Sequence, residues 1–155
     1  MIQTLAVIQM ASQADVAGNL TSARRLLEQA AAEGARLAVL PENFAAMGCS
    51  DLPRLGRAEA AGDGPILPWL KQTARDLRLW IVAGTLPLPP DDRPQGKPNA
   101  CSLLIDDQAS GWRATTSCTC STRTWPTTAA VIASPTTTRR GNAWCWPIRP
   151  WGAWG

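Results

Sequence analysis

The residues best suited to catalysis are in the segment Leu40-Pro41-Glu42-Asn43-Phe44, which begins at the last residue of the apolar run Leu37–Leu40. In open α/β sheets, ligand sites form outside the carboxyl ends of strands, so a carboxylate at this place could act on a bound substrate. Partial burial of Glu42 would raise its pKa and suit it to general-base catalysis. A Glu after a strand is also common as a solvated loop residue, so the motif alone leaves both interpretations open.

The sequence contains no His, which excludes Ser-His-Asp triads, Cys-His dyads and His-ligated zinc. The five Cys are odd in number, and Met1–Thr4 has no secretory character, so we expect reduced thiols and a cytoplasmic location. Cys118, Cys120 and Cys145 have no fourth soft ligand, so no metal site is predicted. No cofactor is predicted either.

The composition changes abruptly near residue 108. All 12 acidic residues lie at or before Asp107, whereas 109–155 carry six of the 8 Trp and five scattered Arg. The net charge of +3 therefore originates in the tail, and because its Arg residues form no stripe, we predict no nucleic-acid partner. No apolar run has the length of a membrane span, so no membrane partner is predicted. The composition divides the chain into 1–108 and 109–155.

Residues 1–108 have the pattern of an α/β domain with elements in the order β-α-β-α-β-β. The spacing predicts one helix with Asn19 as N-cap and Gly34 closing it, and a second helix that starts at Pro65. Loops are expected over 43–64 and Pro87–Pro98. This order predicts a mainly parallel sheet covered by helices and completed by hairpin pairing. The predicted strands are Leu5–Ile8, Leu37–Leu40, Trp80–Thr85 and Ala100–Ile105.

The order and spacing of several segments in 1–108 carry a family resemblance. They are Ala6–Met10, the helix headed by Asn19, Gly34-Ala35, Leu40–Phe44, Trp80–Thr85 and Asn99–Ile105. Together they resemble the start of a carbon–nitrogen hydrolase of the nitrilase superfamily. The resemblance implies the N-terminal part of an α-β-β-α sandwich, a homo-oligomer, and hydrolysis of a small-molecule amide by a Cys-Glu-Lys mechanism. Glu42 matches the family's general base, which accepts the proton of the attacking Cys while Lys stabilises the tetrahedral intermediate.

The other two catalytic residues of that family have no counterpart in the chain. The tail contains no Lys, and both Cys49 and Cys101 precede the position where the family has its Lys. Cys101 is expected to be a core residue, where Cys is common. We therefore predict that the chain is inactive as written. Half of a sandwich also leaves sheet faces and edges uncovered, which favours aggregation.

The genetic code offers an explanation of the tail. When the codons of Arg113–Thr122 are read from their third bases, they permit RYDKLHLFD, the segment that the family would have here. Thr124–Gly155 then permits a charge-balanced continuation that includes a strand-like RVVLAD. We infer a single-base loss near Gln108–Ser110, which would make 109–155 an out-of-frame, non-native or disordered tail, with the Lys codon straddling Thr116 and Ser117.

The permitted string resembles the branch of omega-amidases and deaminated-glutathione amidases, which implies an ω-amide of a dicarboxylic or keto acid as substrate. The alternative function is a non-catalytic fragment, or a binding module that uses its Trp-rich tail. A natural Thr/Trp-rich segment would usually fit its local structural context, and this one does not. The alternative would show as binding without amide hydrolysis.

Overall fold

The computed structural model describes residues 3–90 and 94–109, together with the backbone of three later strands. The elements in chain order are β1 (Gln3–Ile8), α1 (Val16–Ala32), β2 (Ala35–Val39), α2 (Leu52–Ala61), α3 (Ile66–Leu77), β3 (Trp80–Leu88), β4 (Asn99–Ile105), β5 (Trp112–Ser117), β6 (Thr138–Arg140) and β7 (Ala143–Ile148). The strands form one sheet in the order β5-β4-β3-β2-β1-β7-β6. The α/β class is confirmed.

The centre of the sheet is parallel, and its flanks are antiparallel. β1 pairs with β2 and β2 with β3 in parallel, whereas β3 and β4 form the predicted hairpin pairing. The pairs of β4 with β5, β1 with β7 and β6 with β7 are also antiparallel. The mainly parallel sheet with hairpin pairing that was predicted for 1–108 is confirmed, since two of the three strand pairs there are parallel, and the three strands after residue 108 add only antiparallel neighbours.

Those three later strands were not predicted from the sequence. β5 continues the sheet beside β4, and β7 pairs along the full length of β1, from Gln3↔Ile148 to Ile8↔Ala143. The predictions that concern 118–137 and 149–155, including the Cys118-Thr119-Cys120 segment, lie outside the described residues.

One face of the sheet forms the core beneath α1 and α3. Ala6, Ala38, Ile81 and Ile105 lie side by side across β1, β2, β3 and β4, and all four have no exposed surface. Successive side chains of a strand point to opposite faces, so this row identifies the inner face. Small Ala residues on β1 and β2 let α1 pack closely, since it contacts both strands.

The first helix starts four residues earlier than the sequence predicted. Asp15 is its N-cap, and the Asp15 carboxylate accepts hydrogen bonds from the backbone N–H groups of Ala17 and Gly18, each at 3.1 Å. The prediction of Asn19 as N-cap is wrong, because an earlier carboxylate already satisfies the free N–H groups of the first turn. Gly34 closes the helix at φ +81° and donates to the carbonyl of Ala31, which confirms its predicted role.

The segment expected to be a loop over 43–64 contains helix α2. The Asp51 carboxylate caps it by accepting from the Arg54 N–H at 3.1 Å, Pro53 lies in its first turn, and Gly62 ends it at φ +87°. These are ordinary helix start and stop signals. The loop prediction was wrong because the helix has a short apolar pattern, with only Gly56 and Glu59 buried.

Helix α3 has its N-terminus held by a side chain from α2. Pro65 is the N-cap residue, so the predicted start is one residue early, and it makes no side-chain cap. Instead the buried Glu59 carboxylate accepts from the N–H of Ile66 at 2.7 Å and from that of Leu67 at 2.8 Å. Gly64 adjoins this carboxylate so closely that a Cβ there would collide with it. The pair of bonds ties α2 to α3.

Arg24 makes a second tie, between α1 and α3. Its guanidinium donates to Asp76 at 3.0 Å and to Glu28 at 2.8 Å. The hydrogen bond from Arg24 is the main cause that holds the pKa of Asp76 below its ordinary value of 3.8. Because the pKa of Asp76 is lower in the folded than in the unfolded state, its ionised carboxylate stabilises the fold at pH values above 3.8. This stabilisation is lost as the pH falls through the pKa of the folded state. Because Asp76 is exposed, this contribution is small.

Strand β3 is longer than predicted and includes Pro87. The sequence predicted an end at Thr85 and a loop from Pro87, but Pro87 pairs with Ala100 of β4. In the described pairings, β2 meets β3 only at Trp80–Val82, so the later half of β3 has β4 as its single strand neighbour. A proline is tolerated in such a half-paired stretch because no second strand requires its missing N–H.

We expect replacement of Glu59 by Ala to lower the free energy of unfolding by about 2–4 kcal/mol, because the N–H groups of Ile66 and Leu67, the first of them buried, lose a charged acceptor. Glu59→Gln should lower the free energy of unfolding by less than Glu59→Ala does. Its side chain keeps an acceptor oxygen, but its amide places a donor against a backbone N–H. Glu28→Ala, which removes an exposed carboxylate from α1, should cost under about 0.5 kcal/mol. Chemical denaturation followed by circular dichroism measures all three, and a Glu59→Ala value equal to that of Glu28→Ala would contradict the capping role.

Candidate active site

Glu42 lies in the turn directly after β2, at the carboxyl end of the parallel strands. The Leu40 N–H donates to the Val82 carbonyl at 2.9 Å, so the bonding between β2 and β3 continues almost to Glu42. The side chain of Glu42 is exposed, and the partial burial expected from the sequence is not present. Phe44, two residues later, is the side chain that turns into the core and is completely buried.

A glycine of the neighbouring strand lets the chain make this turn. Gly84 in β3 lies so close to the Pro41 carbonyl oxygen that a Cβ at Gly84 would overlap it, and the same Cβ would lie 2.9 Å from the Glu42 nitrogen. Glycine within a strand often marks such a close approach of another backbone. The residue before Glu42 therefore rests directly on β3.

Thr85 holds the residue after Glu42. Asn43 has φ +52°, in the left-handed region that a residue with a side chain occupies at a cost. The Asn43 N–H donates to the Thr85 hydroxyl at 3.3 Å, and that hydroxyl donates to the Asn43 side-chain oxygen at 3.4 Å. Both neighbours of Glu42 in the chain are thus fixed against β3.

Asn19 braces the same turn from α1. Its side-chain N–H₂ donates to the Ala45 carbonyl at 2.9 Å and to the Gln13 carbonyl at 2.7 Å, and its oxygen accepts from the Gln13 N–H at 2.9 Å. Asn19 is buried, so these bonds replace water that the amide has lost. The Phe44 ring lies 6.3 Å from the Trp69 ring of α3, at an angle of 31°. The turn is therefore attached to α1, α3 and β3.

Comparison with known proteins identifies the family. The carbon–nitrogen hydrolase family model matches residues 4–149, which is nearly the whole chain and extends past residue 108. The chain belongs to the carbon–nitrogen hydrolase family. Deaminated glutathione amidase of Synechocystis sp. is 34% identical over 84 residues, which are 54% of this chain and 30% of the relative. The chain thus spans less than a third of that curated relative.

Two solved structures share the fold of this chain. The NitFhit protein of C. elegans matches 82% of this chain and 30% of its own length, with a TM-score of 0.65 and 20% identity. Nit3 of Saccharomyces cerevisiae, a member of branch 10 of the nitrilase superfamily, matches 74% of this chain and 44% of its own, with a TM-score of 0.61 and 18% identity. These likenesses confirm the N-terminal part of the nitrilase fold for this carbon–nitrogen hydrolase chain.

The described part of this carbon–nitrogen hydrolase chain contains two Lys, Lys71 in α3 and Lys97 before β4, and both precede the tail. Of its two Cys, Cys49 is half-buried and Cys101 is buried in β4. Over residues 3–90 and 94–109, no three His, Cys, Asp or Glu side chains come together as a metal site would require. No helix in the same ranges has the length and apolar character to cross a membrane.

A depression of about 520 Å³ lies on the surface formed by α1 and α3. It is lined by residues of α1 and by Trp69 of α3, and Glu42 is not part of it. The lining residues are Ala17, Leu20, Thr21, Arg24, Arg25, Glu28 and Trp69.

The sequence interpretation named Glu42 but missed the residues that hold its turn. A Gly inside an apolar strand at Gly84 and a polar Asn19 within the apolar face of a helix were both visible signals. The first was treated as an ordinary strand residue and the second as a helix cap. Thr85 and Asn43 offered no signal, because their bond depends on a register between β2 and β3 that only the fold supplies.

We expect Gly84→Ala to displace the Pro41-Glu42 backbone and to lower the free energy of unfolding by about 2–3 kcal/mol, as overpacking does in a tightly packed site. Gly34→Ala is the matched control, because Gly34 has φ +81° but no atom within 4 Å of an added Cβ. It should cost only the conformational strain, about 1 kcal/mol. Amide chemical shifts in NMR should change at 42–45 for the first variant alone, and unaltered shifts there would contradict the contact.

Proposed function

We propose that this chain descends from a hydrolase of small amides in which Glu42 is the general base. The observation that carries the proposal is the position of Glu42, which stands exposed on a turn whose preceding and following residues are both fixed against β3. A general base must lie within hydrogen-bonding reach of the proton that it removes. A restrained turn with an accessible carboxylate meets that need better than a loose loop does.

In the reaction implied by the family, a Cys thiol attacks the amide carbon and transfers its proton to the Glu carboxylate. The Lys ammonium stabilises the oxyanion of the tetrahedral intermediate. The intermediate expels ammonia after protonation of the amide nitrogen, and water then hydrolyses the thioester to the acid and free thiol. Glu42 would receive the proton in the first step and return it to the leaving nitrogen.

The 155-residue chain is, we propose, catalytically inactive because its tail is out of frame. The last Lys is Lys97 and the last acidic residue is Asp107, although the family match continues to residue 149. The family match is to the chain as written, so the support for a frame break is the loss of acidic residues and Lys after residue 108, together with the string that the third-base frame permits. A missing nucleophile prevents covalent catalysis, and loss of the oxyanion-stabilising group alone costs orders of magnitude.

The substrate class that we propose is an ω-amide of a dicarboxylic or keto acid. The relative from Synechocystis is named a deaminated glutathione amidase, and it is 34% identical over the matched residues. The string RYDKLHLFD, which the third-base frame permits, resembles the same branch and supplies the missing Lys. A soluble ω-amide of this kind is also small enough to reach a carboxylate at the end of a strand.

Ammonia release from ω-amides tests the activity. The 155-residue chain should release no more ammonia than its Glu42→Ala variant.

A restored reading frame tests the role of Glu42. Insertion of one base near codon 108, with the downstream genomic DNA, should yield an active enzyme. Glu42→Gln in that enzyme should lower kcat about 10²–10⁴-fold. Glu28→Gln on α1 is the control and should leave kcat unchanged. Activity of the 155-residue chain above the Glu42→Ala level would refute inactivity, and an active restored Glu42→Gln enzyme would refute the role of Glu42.

The frame break itself predicts a DNA sequence. Codons 113–122, read from their third bases, should encode Arg-Tyr-Asp-Lys-Leu-His-Leu-Phe-Asp, and the Lys codon should span Thr116 and Ser117. Sequencing of the gene over codons 105–122 decides this directly. If the third-base frame encodes a stop codon or a different polar pattern, the tail is natural and the frame proposal fails.

A further inference from the structure

The turn between α2 and α3 contains the pair Asp63-Gly64, and no other Asp in the sequence is followed by Gly. Asp63 is exposed, and it lies between Gly62, which ends α2, and Pro65, which precedes α3. The Asp63 N–H donates to the Ala58 carbonyl at 2.9 Å, so the start of the turn is anchored to α2. The turn therefore presents an Asp side chain to water from a fixed main-chain position.

The carboxyl group of Asp63 makes no hydrogen bond or ion pair within the described part of the chain. The carboxylates of Asp15, Asp51 and Asp76, by contrast, all accept hydrogen bonds. A hydrogen bond holds a side chain in one rotamer, whereas an unbonded side chain moves between rotamers. The Asp63 carboxyl carbon is therefore free to approach the peptide nitrogen that follows it.

Gly64 supplies that nitrogen, and the packing of the turn explains why the residue is glycine. A Cβ at Gly64 would collide with the buried Glu59 carboxyl group, so a residue with a side chain does not fit there. Because glycine has no side chain, its main chain is also open to a close approach by other groups. The contact with Glu59 thus requires an unhindered nitrogen directly after an unbonded carboxyl group.

We propose that Asp63 is a modification site at which the chain isomerises spontaneously to isoaspartate. The Gly64 nitrogen forms a bond to Cγ of the protonated Asp63 carboxyl group, and the hydroxyl of that group leaves as water with the Gly64 amide proton. The product is a succinimide ring. Water then adds to the ring carbon that was the main-chain carbonyl carbon of Asp63, and the bond from that carbon to the nitrogen breaks as the nitrogen regains a proton.

The product has a longer main chain and an unchanged net charge. The chain now passes through the side chain of Asp63, which adds one CH₂ group directly before Gly64. Water is released in the first step and consumed in the second, so no other reactant is needed. The reaction takes place within the turn and does not depend on the role of Glu42.

The added CH₂ group acts on the connection between α2 and α3. The Glu59 carboxylate accepts from the N–H groups of Ile66 and Leu67 at 2.7 and 2.8 Å, and Gly64 packs against the same carboxylate. The Asp63 N–H is bonded to α2, so the extra length falls between two fixed points and displaces Gly64. Isomerisation should therefore loosen the N-terminus of α3.

Peptide mapping of the full 155-residue chain tests the site. After incubation of the folded chain at neutral pH, protein L-isoaspartate methyltransferase should esterify residue 63, and tandem mass spectrometry should show that this ester increases with incubation time. Asp107, which is also unbonded in the described residues but precedes Gln108, is the internal control and should give at most a small fraction of that signal. Equal esterification at both positions, or none at residue 63, would overturn the proposal.

Asp63→Glu is the matched variant, because it keeps the charge while its longer side chain cannot form a succinimide. It should show no esterification at residue 63, and circular dichroism before incubation should match that of the unaltered chain. In NMR spectra of the incubated unaltered chain, the amide signals of Ile66 and Leu67 should split into two sets, while those of Ala17 and Gly18 stay single. Isoaspartate at residue 63 without this splitting would refute the effect on α3.

Discussion

Where β2 ends, the backbone of Pro41 rests on Gly84 of the neighbouring strand, and there is no space between them for a side chain. This contact decides where the chain can go next. Because Pro41 is pressed onto β3, Asn43 comes within reach of the Thr85 hydroxyl, and Phe44 enters the core beside Trp69. Ala45 then meets the buried amide of Asn19. Glu42 is exposed in a turn that is fixed on both sides, so its backbone position is restrained although its side chain is open to water.

The inner face of the sheet and the face opposite to it come from one sequence pattern. β1 and β2 alternate small residues, which admit α1, with larger aliphatic residues that point the other way. A strand with one solvated face would have polar residues at those outward positions. The family relationship fits this pattern, because the matched relatives are much longer than the region that they share with this chain. Two-sided apolarity is thus a property of the four central strands and not of the tail.

The sequence predicted the elements whose signals are local. Strong apolar patterns predicted the strands at Leu37–Leu40 and Ala100–Ile105 and the helix that carries Leu70 and Ala74. A clear stop signal predicted that Gly34 ends the first helix. The errors arose where distant residues decide the outcome. Glu59 caps α3 across seven residues, and β3 continues through Pro87 because β4 pairs with it there. Glu42 was identified by its motif, but its exposure depends on which neighbour takes the core position, and that neighbour is Phe44.

The later half of β3 is protected from pairing with a strand of another protein. Beyond Val82 this half loses β2 as a neighbour, which would ordinarily leave a row of unpaired N–H and C=O groups open to another chain. Pro87 has no N–H to offer, and its carbonyl lies against the backbone of Gly56 in α2. Helix α2 and Pro87 together therefore prevent strand pairing at this edge of the sheet. Removal of either would leave this stretch of β3 open as a template for β-augmentation.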